Sequence, residues 1–145
     1  MCIRDSSHAI NGMISYGTDV GWSVHPMEHE LSAYYDITHG VGLAILTPRW
    51  MKHILSDETV GKFVDYGVNV WGIDSSVDKF EIANMAIEKT YDFFESIGIP
   101  MNLREVGIGE ENLEVMAEFA SKRGAKYGYV SLSKEDVLEI YKESL

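Results

Sequence analysis

The stretch His25–Met51, HPMEHELSAYYDITHGVGLAILTPRWM, holds three histidines, His25, His29 and His39, and two helical patterns split by a short turn. A helix is expected from Val24 to Tyr35. Pro26 falls in its first turn, where the backbone N–H has no intrahelical partner to lose. Helical geometry then sets His25 and His29 one turn apart on the same face. Asp36-Ile37-Thr38 reads as a turn. From His39 to Leu55 the chain is almost wholly apolar, through Leu43, Ala44, Ile45, Leu46, Met51 and Ile54, which predicts a buried central helix kinked at Pro48.

Upstream, Ala9, Ile10, Met13 and Ile14 recur at three- and four-residue intervals, so the segment from His8 to Tyr16 is expected to end an amphipathic helix at Gly17. Downstream, Ser56 or Asp57 is expected to cap a helix carrying Val60, Phe63, Val64, Val68 and Trp71. Ser75-Ser76-Val77-Asp78 reads as a capping box opening a long helix that Gly98 ends. Leu113, Met116, Ala117 and Ala120 mark another helix closed by Gly124, and Ser133 with Asp136 caps a last one. No segment alternates with a strand period, and no repeat is visible. The expected fold is all-α, with six or seven helices in one domain over residues 7–145. Residues 1–6 join the rest abruptly and are expected to be a non-native or assembly-derived leader.

A formal charge of -11, with twelve scattered Lys and Arg, argues against a nucleic-acid backbone or an anionic membrane as partner. Cys2 is the single cysteine, so neither an internal disulfide nor a zinc ribbon can form, which fits a reducing compartment. No run approaches the roughly 18 apolar residues of a membrane span, and the first residues lack the apolar core of a signal peptide. A cytoplasmic chain acting on small molecules is the expectation.

Neutral imidazole is a ligand for divalent metals, and three imidazoles near one turn suggest a metal or catalytic site. Spacing alone does not choose among His25, His29 and His39. His25-Pro26-Met27-Glu28-His29 also matches H-x-x-E-H, the inverted zinc-protease pattern, in which Glu28 would act as base. That alternative needs a distant third ligand and leaves His39 unused; a simpler role for Glu28 is a solvated or hydrogen-bonded helix residue. Glu28→Gln would then destroy a protease and matter little otherwise. A non-catalytic helical interaction module is the remaining alternative, marked by failure of the three rings to converge. His8 and His53 read as structural or surface residues, and Trp22, Trp50, Trp71, Tyr34 and Tyr35 as packing. No G-x-G-x-x-G follows a strand, so a dinucleotide site is not expected within this chain.

The block from His25 to Met51 closely resembles the metal-site region of the iron-containing (group III) alcohol dehydrogenases, nearest to their butanol dehydrogenase branch. The likeness runs from about His8 to Leu145 and includes Ile97-Gly98-Ile99-Pro100, Glu105-Val106-Gly107-Ile108 and the segment Leu132 to Val137. The resemblance implies the C-terminal helical half of a dehydroquinate synthase-like fold, with an N-terminal α/β nucleotide-binding domain absent from this sequence. It implies an NAD(P)-dependent alcohol dehydrogenase or aldehyde reductase using Fe(2+) or Zn(2+), with NAD(H) or NADP(H) bound mainly by that other domain. By position, His25 and His39 match two metal ligands, and an Asp and a further His of the other domain complete the set. His29 matches a non-ligand histidine that faces the nicotinamide and helps to pass the proton. A homodimer is implied for the full-length enzyme, and no turnover for this chain alone. Gly21 stands where relatives often carry an Asp before the tryptophan.

Overall fold

A computed structural model describes residues 21–145; the expected leader and the helix from His8 to Tyr16 lie outside the described residues. Six α-helices and two single turns of 3-10 helix occur among them, and no strand. The histidine helix, α1, spans Val24–Tyr35 as expected, and Asp36 stops it in the left-handed region at φ 53°, its N–H bonding the Ser32 carbonyl at 2.9 Å. Helix α2 spans His39–His53 and runs unbroken through Pro48. Proline removes the bond to the Ala44 carbonyl. The carbonyls on either side of it gain side-chain partners, Thr47 Oγ1 on Leu43 at 2.6 Å and Arg49 Nη1 on Ile45 at 3.2 Å.

Two cap assignments need correction. Helix α3, Val60–Trp71, starts after Thr59, so neither Ser56 nor Asp57 caps it. The Ser56 carbonyl instead accepts the Val60 N–H at 2.9 Å, and the Thr59 hydroxyl closes the turn by bonding the Ile54 carbonyl at 2.6 Å. Helix α4, Lys79–Ser96, is capped by Asp78 itself, whose carboxylate accepts from the N–H groups of Phe80 and Glu81; Ser75 and Ser76 lie in the preceding turn. Both misplacements are shifts of two or three residues along runs in which several polar residues could serve. The other two helices start and stop as expected: α5, Leu113–Arg123, ends at Gly124 with φ 153°, and α6, Lys134–Glu143, opens on a complete capping box between Ser133 and Asp136.

The helices pack around α1 and α2. The underside of α1 meets α2 and α5, α2 reaches α4 and α6, and α3 pairs with α4. Gly67 permits that last pairing, since a Cβ there would stand 2.7 Å from Ile82 Cγ2. Met27 and Leu31 of α1, Ile45 and Leu46 of α2, Met116 of α5 and Ile140 of α6 share one core, all fully removed from solvent. Within the described residues no helix is long and apolar enough to cross a membrane.

One buried hydrogen bond ties the last helix to the first. Tyr141 donates its hydroxyl to the Met27 carbonyl at 2.7 Å. Burial, then the carboxylates of Glu30 and Glu28, push the phenol well above its ordinary range, so it stays a donor at every working pH. The Met27 carbonyl sits within α1 and keeps its helical partner when the hydroxyl is lost. Tyr141→Phe is therefore expected to cost about 1 kcal/mol, the ordinary net worth of such a bond, read as a lower urea midpoint with an unchanged slope. A cost near zero would mean that the bond does not hold α6 to α1.

Candidate metal centre

The turn at residues 36–38 brings the first residue of α2 beside the upper face of α1, and this reversal assembles the three histidines. The His25 and His39 ring centroids lie 5.4 Å apart, those of His29 and His39 also 5.4 Å with near-stacked planes, and those of His25 and His29 6.2 Å. His25 is half-buried beneath Trp22, whose ring meets it edge-on at 4.6 Å; His29 and His39 are exposed. Burial lowers the His25 pKa, and the neighbouring His39 and His29 lower it further against a small opposing pull from Glu28. A lowered pKa keeps the ring in the neutral form that binds metals.

Beneath the rings lies Glu28, 0% exposed. One carboxylate oxygen accepts from His39 Nδ1 and the other from the Ser32 hydroxyl. Ser32 Oγ also lies 3.1 Å from the Ile37 carbonyl, joining the group to the turn. Space for this carboxylate comes from Gly42 on α2: a Cβ there would stand 2.7 Å from Glu28 Cγ. A solvated Glu28 is therefore excluded, while a hydrogen-bonded one is observed. The protease role fails for the same reason, because both carboxylate oxygens are engaged inside the protein rather than turned to an open water. The three rings gather at one place, their centroids 5.4–6.2 Å apart.

Ligand atoms of Glu28, His29 and His39 all lie within 4.8 Å of one another. That grouping includes Glu28 and omits His25, and within it one Glu28 oxygen is bonded to His39 Nδ1. The remaining nitrogen of His39, Nε2, is the one left for a ligand. Imidazoles with one nitrogen fixed by a buried carboxylate are suited to hold a divalent metal, so this donor set fits such an ion.

Two open clefts flank His25. One, of about 460 Å³, is lined by Trp22, His25, Pro26, His29 and Arg123; the other, of about 300 Å³, passes Trp22 and His25 toward Leu43, Thr47 and Trp50. Arg123 stands at the first, its guanidinium 3.0 Å from the buried carboxylate of Glu30. Trp22 is 51% exposed and packs edge-on against His25, so its packing is done at the site rather than in the core. Gly21 passes against the Gly128–Tyr129 backbone, where a Cβ would come within 2.5 Å of the Tyr129 nitrogen.

Residues 6–145 match the model of the Fe-containing alcohol dehydrogenase family, C-terminal. The chain belongs to this family. NADH-dependent butanol dehydrogenase A of Clostridium acetobutylicum is 61% identical over 141 residues, 96% of this chain and 36% of that enzyme. Butanol dehydrogenase B of the same organism is 57% identical over 97% of this chain and 37% of its own length. The crystal structure of NADH-dependent butanol dehydrogenase A from Thermotoga maritima superposes with a TM-score of 0.86 at 30% identity, covering 97% of this chain and 37% of that one. The chain thus spans little more than a third of the relatives it matches, and its all-helical architecture is that of their C-terminal part. His53, read as structural, holds Asp136 of the α6 cap at 3.2 Å, while His8 lies outside the described residues.

Four residues of the site carried no signal of their own in the sequence reading: Trp22, Ser32, Gly42 and Arg123. Ser32 follows Glu28 by four residues and Gly42 follows His39 by three, spacings that place each on the inner face of its helix. Their importance depends on the α1–α2 contact.

Proposed function

We propose that this chain is the helical, metal-holding part of an NAD(P)-dependent alcohol dehydrogenase or aldehyde reductase of the butanol dehydrogenase kind, with His25 and His39 as metal ligands. The convergence of the three rings over a buried carboxylate supports this reading most strongly. A nitrogen-donor set completed by residues outside the chain suits either Fe(2+) or Zn(2+). When bound, such an ion supplies Lewis acidity, which eases hydride transfer between an alcohol or aldehyde carbon and the nicotinamide ring. The two most identical relatives described above are named as NADH-dependent, so NAD(H) is the favoured cofactor, bound mainly by an N-terminal nucleotide-binding domain of the full-length protein. A cytoplasmic homodimer accords with the same reading.

Within this chain, His25 and His39 hold the ion, and the clefts on either side of His25 admit a small alcohol or aldehyde. Trp22 shields His25 from water. His29, one turn beyond His25 and exposed, is placed to pass a proton between the reacting oxygen and solvent without holding metal. In the full-length protein His29→Ala is expected to retain metal by elemental analysis while kcat for butanol oxidation falls by about 10²- to 10⁴-fold, the range for loss of a general acid–base. Loss of the metal from that variant would make His29 a ligand and overturn the assignment.

A further inference from the structure

We propose that Glu28 is the positioning residue of this centre: its buried carboxylate fixes the His39 ring so that Nε2 points to the metal, and Ser32 and Gly42 hold the carboxylate in place. The inference rests on reading His39 as a ligand.

A carboxylate at 0% exposure is costly unless its oxygens are bonded and its charge is offset. The bonding is complete, from His39 Nδ1 to one oxygen and from the Ser32 hydroxyl to the other. The charge is not offset by any Lys or Arg: among the described residues the ionic partner of Glu28 is His39 alone. Nearby Glu30 has taken the guanidinium of Arg123. Tyr141, the other polar neighbour, spends its hydroxyl on the Met27 carbonyl. A cation bound through His39 would supply the offset that the described residues lack. A proton on Nδ1 bonded to carboxylate also selects the tautomer whose Nε2 lone pair is free, and it raises the basicity of that nitrogen.

The surroundings are built around this role. His39 is the first residue of α2, where a helix end leaves the backbone poorly restrained, and its ring is exposed on the solvent side. The Glu28 contact is the one hydrogen bond of the ring to the protein among the described residues. Gly42, one turn along α2, lets the two helices close to the distance at which Glu28 reaches the ring. Ser32, one turn along α1, ties the second oxygen to the turn that sets the start of α2.

The test uses the full-length protein with cobalt(II) as the probe metal, measuring affinity by competition with a chelator and recording the visible absorption of the bound ion. Glu28→Gln keeps an oxygen that can accept from His39 but removes the charge; Glu28→Ala removes both. Glu28→Ala is expected to weaken cobalt binding by about 10- to 100-fold and to alter the absorption bands, with Glu28→Gln between it and the parent. Equal affinity and unchanged bands in a folded Glu28→Ala protein would overturn the proposal. Complete loss of metal in Glu28→Gln, equal to that of His39→Ala, would also overturn it by making Glu28 a direct ligand. Should the Glu28 variants fail to fold, Ser32→Ala and Gly42→Ala disturb the same carboxylate from its two sides. Each is expected to weaken cobalt binding several-fold, and parent-like affinity in both would count against the role. His39→Ala serves as the control: metal retained there would sink the ligand reading itself, separately from the role of Glu28.

Discussion

In the full-length protein His39→Ala is expected to abolish metal retention, with elemental analysis after dialysis at the background of a metal-free preparation and butanol oxidation lowered by roughly a thousandfold. The size follows from what a Lewis acid contributes. Polarisation of a carbon–oxygen bond by a divalent ion is worth several kcal/mol, and about 4 kcal/mol corresponds to roughly three decades in rate. His25→Ala is expected to act alike, since its ring lies 5.4 Å from that of His39 and its lowered pKa suits a ligand. These two variants part from His29→Ala on metal content and not on rate, for all three are slow. Metal retained at parent level in both His25→Ala and His39→Ala would remove the basis of the proposed function.

Leu31→Ala is expected to destabilise the fold by about 2–5 kcal/mol, the largest stability effect proposed for this chain. Leu31 is fully buried on the underside of α1, within the core that joins α1 to α2, α5 and α6. Removing three carbon atoms there forfeits their transfer free energy and leaves a cavity that rigid neighbouring helices close only in part. Against a typical total stability of roughly 5–15 kcal/mol this is a large fraction, readable as a fall in the denaturant midpoint. A loss under about 1 kcal/mol would show that the helices collapse onto the gap and that α1 is not held as described. Metal affinity at low temperature, where the variant remains folded, should change far less than in His39→Ala, because Leu31 faces away from the rings.

Helix α1 was legible to the residue, because Pro26 in the first turn and the polar turn after Tyr35 mark its ends locally. The capping box of Ser133 and Asp136 was equally plain, its two reciprocal bonds being made within four residues. Caps in polar runs were not. Around Ser56 and Ser75 several side chains could have satisfied the first N–H groups, and packing of the following apolar face chose the register. Among the histidines, spacing offered three candidates, and resemblance to a family singled out His25 and His39.

Glu28 was legible only in part. A glutamate between two histidines on a helix reads as a solvated or hydrogen-bonded residue or, by pattern, as the base of a protease; it is hydrogen-bonded, but its partners and its burial lie beyond any reading of α1 in isolation. Its burial arises from a glycine on another helix and from the reversal of the chain at residues 36–38.

Local chemistry along the chain was sufficient for the all-helical class, for the extent of α1 and for the presence of a metal-type histidine cluster, since periodicity, caps and ligand types act over a few residues. Tertiary structure alone decided that the three rings meet, that the Glu28 carboxylate sits dry beneath them and that Trp22 covers His25. Those features depend on how closely α2 approaches α1, and that distance is set by side chains far apart in the sequence competing for one space.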